Sequence, residues 1–149
     1  MKYKVETIIE LPRDEVIKKL DSIDNIKHWQ RGLVRAEHLS GTPGHVGAKM
    51  KLSYKMGRRE LDLIETITNR NFPDQFDATY ETKGMHNLQY NRFESTPEGH
   101  TKWISECEFI PSSFMLRLMT KLMPGAFKKQ SKKYLQDFKN FAEKGESVA

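Results

Sequence analysis

The last third of the chain differs in pattern from everything before it. Pro111 to Lys144 reads as a short, methionine-rich apolar helix, a Pro-Gly break and a longer one-sided helix. On a helical wheel the apolar side chains of the longer helix occupy an arc of about 120°, and its lysines lie opposite. A helix of roughly 18 residues is about 27 Å long, enough to cross a layer of strands. This pattern predicts a sheet closed by one long helix, with a cavity between the two.

The residues before Pro111 alternate with the period of β-strands and are interrupted by glycine and proline. The first strand ends near Leu11, and two short helices follow it between Pro12 and Trp29. Turns recur about every 8–12 residues, which favours antiparallel hairpins over parallel crossovers. Six further strands are predicted at residues 33–39, 48–56, 60–68, 75–82, 85–94 and 101–110. We therefore predict an α+β fold in which seven antiparallel strands form one curved sheet around the C-terminal helix.

Size and composition favour one domain over residues 1–149. We expect neither a signal peptide, because the first residues alternate with charges, nor a membrane-spanning segment, because no long apolar run exists. The single cysteine, Cys107, excludes an internal disulfide and favours a reducing, cytoplasmic location. The net charge of +5 comes from lysines scattered over all elements, which indicates a solvated surface and no nucleic-acid site.

No motif for metal, cofactor or nucleophilic chemistry is present. The five histidines are dispersed, and Cys107 has no second cysteine at metal-ligand spacing. The glycine-rich segment Gly41–Gly47 precedes a strand, so it lacks the helix N-terminus of a phosphate-binding loop. The sequence therefore predicts no metal and no cofactor, and assigns no catalytic residue.

Strand alternation identifies the side chains that would line the cavity. They are mostly aromatic and aliphatic, and tight core packing is the alternative role for about half of them. The ligand-contacting set, including two positions on the short helix, is Trp29, Met50, Leu52, Tyr54, Leu61, Leu63, Phe76, Tyr80, Leu88, Tyr90, Trp103, Phe109, Phe114 and Met119.

A few polar side chains share this face. Glu65, His86 and Ser105 would orient a ligand inside an otherwise apolar pocket. If the domain is an enzyme, Glu65, His86 and Tyr80 are its acid–base candidates.

Two of these assignments depend on strand parity. Glu65 points to the apolar face in one register, whereas in the other Ile64 points inward. His86 points inward with the apolar residues that follow it, whereas Phe93 favours the opposite parity. A β-bulge in that strand would satisfy both.

Several local patterns match one superfamily over essentially the whole chain. They are Ile9–Val16 at the first strand–helix junction, Trp29 at the end of the second helix, Ser40–Gly47 before the third strand, and Asn91–Glu94 followed by Glu98–Trp103. With this order of elements, the chain resembles the START-like superfamily, which includes birch-pollen allergens, polyketide cyclases/dehydrases and lipid-transport proteins (SRPBCC). The resemblance implies a helix-grip fold whose hydrophobic cavity binds lipids, sterols, hormones or polyketides. No cyclase's catalytic set maps onto this sequence residue by residue.

Three functions remain open at this point. The first is binding, and transport, of a small hydrophobic or amphipathic ligand such as a lipid or polyketide in an internal cavity. The second is a cyclase or dehydratase-type enzyme that uses the same cavity. The third is a module that binds a membrane surface, a protein partner or a second copy of the chain through Phe114–Met123. The apolar arc of that segment covers about 200°, so we expect a partly uncovered, mobile lid hinged at Pro124-Gly125.

Overall fold

The seven predicted strands pair into one antiparallel sheet in a computed structural model that describes residues 1–149. The strands are β1 (Lys2–Ile9), β2 (Leu33–Ser40), β3 (Lys49–Met56), β4 (Arg59–Asn71), β5 (Gln75–Thr82), β6 (Met85–Ser95) and β7 (Thr101–Pro111). Their order across the sheet is β1-β7-β6-β5-β4-β3-β2, so β1 closes one edge beside the last strand. The predicted helix-grip fold, a curved sheet wrapped around a long C-terminal helix, is confirmed.

Four helices complete the fold: α1 (Arg13–Leu20), α2 (Ile26–Trp29), α3 (Phe114–Leu122) and α4 (Pro124–Lys144). Prolines at the starts of α1 and α4 fit there because the first turn of a helix does not need their missing N–H. A single non-helical residue, Met123, separates α3 from α4. None of the helices combines the length and apolar character needed to cross a membrane.

The hydrophobic core lies beside β1 and β7, where the C-terminal half of α4 packs on the sheet. The Phe138 ring is fully buried and meets Trp29 and Trp103 edge-on, with centroids 5.2 and 5.3 Å away. Edge-to-face aromatic contacts of this kind stabilise beyond the area they bury. The core cluster consists of Val5, Ile9, Val16, Trp29, Phe93, Trp103, Leu135, Phe138 and Ala142.

A carboxylate anchors the end of α4 to the end of β1. Glu143 Oε2 accepts a hydrogen bond from the backbone N–H of Glu10 at 2.7 Å and another from Lys139 Nζ at 2.7 Å. Burial alone would raise the pKa of Glu143, but these donors and the charge of Lys139 outweigh it, so the pKa lies below its usual value. The ionised carboxylate therefore stabilises this end of the fold.

Candidate functional site

A cavity of about 1080 Å³ lies between the inner face of the sheet and α4. It is slightly larger than the pockets of about 300–1,000 Å³ that usually hold small ligands. The cavity extends from the segment after α1 and the β2–β3 loop to the β5–β6 turn and α3, and 20 of its 37 lining residues are hydrophobic. The sheet and the long helix therefore enclose a hollow that is mostly apolar.

Most of the side chains predicted to contact a ligand border this cavity. They lie at alternate positions of β3, β4, β5 and β7, with Trp29 contributed by α2. The set is Trp29, Met50, Leu52, Tyr54, Leu61, Leu63, Phe76, Tyr80, Trp103 and Phe109. Glu65 and Ser105 line it as well, so the register with Glu65 inward is the one adopted. That these residues contact a ligand stays a prediction.

The parity expected for the start of β6 is wrong. β6 pairs with β5 and β7 without a register shift, so it contains no bulge. Phe93 is 2% exposed in the core, and it fixes the parity of the whole strand. The side chains of β6 that border the cavity are Met85, Asn87, Gln89 and Asn91.

His86, Leu88 and Tyr90 consequently lie on the other side of the sheet, outside the cavity. His86 Nδ1 is 3.1 Å from a carboxylate oxygen of Glu81, and Tyr90 is 41% exposed. His86 is thereby removed from the acid–base candidates, which leaves Glu65 and Tyr80.

Phe114 and Met119 do not line the cavity either; both are exposed on α3. The helix instead turns Leu116 inward, where it packs above Gly84. A Cβ on Gly84 would lie 3.0 Å from Leu116 Cδ1, so glycine permits this close approach. The error has a simple cause: the apolar arc of this helix is so wide that the sequence does not indicate which part faces the protein.

One row of side chains across the inner face of the sheet is polar at its centre. In register order it runs Met50, Glu65, Tyr80, Asn87 and Phe109 on β3 to β7. Directly paired residues of antiparallel strands have Cβ atoms about 4.5–5.5 Å apart, so neighbours in the row are in reach of one another. We call Glu65, Tyr80 and Asn87 the polar row.

The ionisable members of the polar row are both shifted toward their neutral forms. Burial raises the pKa of Glu65, and a hydrogen bond from Tyr80 only partly opposes it. Burial, followed by the charge of Glu65, raises the pKa of Tyr80 well above its usual value. No cationic side chain of the protein stabilises the Glu65 carboxylate. The row therefore holds a carboxyl group without a counter-ion, in a largely apolar enclosure.

The amides of β6 supply further polar groups of the cavity. Asn91 Oδ1 accepts a hydrogen bond from Trp103 Nε1 at 3.0 Å, so its role includes positioning the core. Asn87 Oδ1 is buried and accepts no hydrogen bond. Buried polar groups are usually satisfied, which makes Asn87 an unusual group at this wall. Sequence reasoning missed these amides; their shared parity with Phe93 was the signal that could have identified them.

Arg70 closes one end of the cavity. A register shift between Ile67 and Asn69 brings Arg70 to the inner face. Its guanidinium donates to both carboxylate oxygens of Asp21 at 2.9 and 2.6 Å and to the Gly44 carbonyl at 2.9 Å. The pair with Asp21 raises the pKa of Arg70. The end of α1, β4 and the β2–β3 loop are thereby joined at this end.

Solved structures with the same fold cover nearly all of this chain. A conserved protein from Geobacillus kaustophilus is 13% identical, with a TM-score of 0.79 and 97% of each chain covered. The Zhui aromatase/cyclase from Streptomyces sp. R1128 is 10% identical, with a TM-score of 0.78, 96% of this chain and 93% of that chain covered. Ara h 8.0201 is 12% identical, with a TM-score of 0.75 and coverage of 95% and 97%. No protein-family model and no curated protein matches the sequence.

Proposed function

We propose that this domain, which has the fold of the START-like superfamily, binds and carries a small amphipathic ligand of lipid or polyketide type. The observation that supports this most is the cavity of about 1080 Å³ between the sheet and α4. Protein interiors are normally close-packed, and empty volume costs stability. A hollow of this size is best explained by an occupant.

The lining favours an amphipathic ligand over a pure hydrocarbon. One side of the cavity is formed by apolar residues of β3 and β4 such as Leu52 and Leu63. The other side carries the β6 amides, and the polar row joins the two sides because it runs from Glu65 on β4 to Asn87 on β6. A hydrocarbon would leave Glu65 and Asn87 without partners, and unpaired buried polar groups are costly. The fold is shared with an aromatase/cyclase, which makes polyketide-type compounds a natural first set to test.

A titration with N-phenyl-1-naphthylamine, an uncharged apolar probe read by its own fluorescence, tests ligand binding. We expect saturable binding to the unmodified protein. Leu63→Trp fills part of the cavity and should weaken binding about tenfold or more, because the bound probe loses its apolar contacts. Val46→Trp adds the same ring at a position that is 62% exposed, and serves as the matched control. A flat titration of the unmodified protein, or equal binding by both variants, would contradict the proposal.

Attachment to an anionic membrane surface is a second candidate function, favoured by the outer face of α3. Phe114 is 82% exposed and Leu122 is 71% exposed, and no residue of this helix is buried. From Phe114 to Gln136 the chain contains no acidic residue. It contains several cations, none of which pairs with a carboxylate: Arg117, Lys121, Lys128, Lys129, Lys132 and Lys133. Apolar residues beside unpaired cations suit an anionic bilayer.

Flotation with vesicles of phosphatidylcholine, with and without phosphatidylglycerol, tests membrane attachment. We expect binding only to the anionic vesicles, reduced by added salt and by the double variant Phe114→Ser/Leu122→Ser. Val34→Ser/Val46→Ser changes two apolar residues elsewhere that are 65% and 62% exposed, and this variant should bind as the unmodified protein does. The absence of flotation, or a dimer in solution that the α3 variant abolishes, would overturn this second candidate.

A further inference from the structure

We propose that the ligand is cationic, and that Glu65 in the polar row binds the ammonium group of an amphipathic amine. The inference deepens the proposed ligand binding and rests on it. The apolar chain of such an amine would lie along the β3–β4 side of the cavity.

The first argument is the charge balance inside the cavity. Only two Lys or Arg side chains border it. Arg70 lies at the end near the β2–β3 loop, and Lys83 lies at the end near the β5–β6 turn. Arg70 is already paired with Asp21, and Lys83 lies exposed in the β5–β6 turn. A carboxylate held in apolar surroundings is costly unless a positive group meets it. Because the protein supplies no such group, burial holds Glu65 toward its neutral form in the empty cavity, and an ammonium group on the ligand would stabilise its charged form.

Aromatic rings that share the cavity with Glu65 give the second argument. Tyr80 is its direct register partner on β5. Tyr54 lies on the same inner face, opposite Leu61 on β4, and lines the same cavity. The Tyr54 hydroxyl donates to Gln30 Oε1 at 3.1 Å, which holds the ring in position. Ammonium groups are attracted to aromatic faces, most strongly where water is excluded.

Asn87 completes the set of groups that a protonated amine requires. It is paired with Tyr80 across β5 and β6, is 9% exposed, and its Oδ1 accepts no hydrogen bond. Asn87 lines the cavity, and the terminal torsion of Asn is soft enough that a small rotation would turn this oxygen toward a bound ammonium group. An ammonium group has three N–H donors, so it can satisfy a carboxylate and an amide oxygen together. A fatty acid would instead place a second carboxylate beside Glu65 and be rejected.

Three probes with the same twelve-carbon chain separate these possibilities by calorimetry: dodecylamine, dodecan-1-ol and dodecanoate. All are used below their micelle-forming concentrations at neutral pH and low salt. We expect dodecylamine to bind about tenfold or more tightly than dodecan-1-ol, and dodecanoate to bind most weakly. Glu65→Gln should abolish the preference for dodecylamine over dodecan-1-ol, because the amide keeps the hydrogen-bonding groups but removes the negative charge. Glu81→Gln, on the outer face of β5 beside His86, should leave the order of the probes unchanged.

Each result separates this inference from the proposed function. Binding of dodecan-1-ol that equals or exceeds that of dodecylamine overturns the cationic ligand and leaves ligand binding standing. If the unmodified protein binds none of the probes, both fail. A preference for dodecylamine that survives in Glu65→Gln overturns the role of Glu65. The order of the probes on the unmodified protein decides the ligand class even if a variant fails to fold.

Discussion

The half of the domain beside β1 and α1 is packed, whereas the half beneath β3, β4 and β5 is hollow. In the packed half, Phe138 is 0% exposed and contacts two indole rings. In the hollow half, Leu63 and Tyr80 are only half-buried, because they face the cavity. The helix α4 contributes to both, with Phe138 in the core and Tyr134 at the cavity wall. The comparison indicates that one helix divides its length between the packed core and the wall of the cavity.

The largest expected effect tests this division through stability. Phe138→Ala removes a ring from a filled core and should lower the free energy of unfolding by about 3–5 kcal/mol. Leu63→Ala removes methyl groups that already face empty space, so it should cost only about 1 kcal/mol. Urea unfolding followed by circular dichroism measures both. Equal losses would mean that the two halves are equally packed.

A second prediction concerns the pH dependence contributed by Glu65 in the hollow half. Because its pKa is raised in the folded state, its contribution to stability is present below the unfolded-state pKa and is lost as the pH rises through the folded value. Glu65→Gln should therefore increase stability by about 1 kcal/mol at pH 8 and have little effect at pH 4. Urea unfolding at the two pH values checks the trend. A larger gain at pH 4 than at pH 8 would show that folding does not raise the pKa of Glu65.

Glu143 in the packed half should show the opposite and smaller trend. Its folded-state pKa is lowered, so its contribution is present above the unfolded-state pKa and is lost as the pH falls through the folded value. Glu143→Gln should reduce stability at pH 7 by less than about 1 kcal/mol, because this ion pair lies near the surface. The loss should shrink toward pH 3 in the same unfolding assay. A loss that is constant with pH would exclude the charge as its cause.

The smallest effect concerns dynamics and needs no substitution. The amides of α3 should exchange with deuterium faster than those of residues 135–142, because α3 has no buried residue whereas α4 buries Leu135, Phe138 and Ala142. Ligand binding should slow exchange in α3, since Leu116 borders the cavity. Equal protection of both segments, unchanged by ligand, would rule out a lid.

Where alternation is clean, the sequence was sufficient to predict the structure. Met50, Leu52 and Tyr54 alternate with lysines and serine on β3, and all of them face inward. The wheel of α4 likewise predicted that Phe138 faces the sheet and that the lysines face away, which holds for Lys128, Lys129, Lys132 and Lys133. Lys139 is the exception, because its ammonium group reaches the Ile8 carbonyl on β1. In both elements one face is plainly apolar, so burial selects a single orientation.

Where both faces of an element carry polar and apolar residues, the sequence was insufficient to predict which face points inward. Along β6, polar and apolar residues occur at both parities. The polar Asn87 and Gln89 face the cavity, whereas the apolar Leu88 faces away from it, so hydrophobicity alone predicts the wrong face. Only the burial of Phe93 at the far end of the strand determines which side chains of β6 face inward. For α3, the orientation follows from the contact of Leu116 with Gly84, which joins elements far apart in the sequence.

The register of β6 has a consequence for how the lining of the cavity can change. The strand carries amides on its inner face at 87, 89 and 91, and an imidazole, a leucine and a phenol on its outer face at 86, 88 and 90. A one-residue slip moves every side chain of a strand to the opposite face. One residue inserted in the β5–β6 turn, with a compensating bulge before Phe93, would exchange the amide wall for the imidazole–leucine–phenol wall. Phe93 would stay in the core, but Trp103 Nε1 would lose its acceptor on Asn91. The outer face of this strand thus holds an alternative lining, and one insertion would give the cavity a different chemistry.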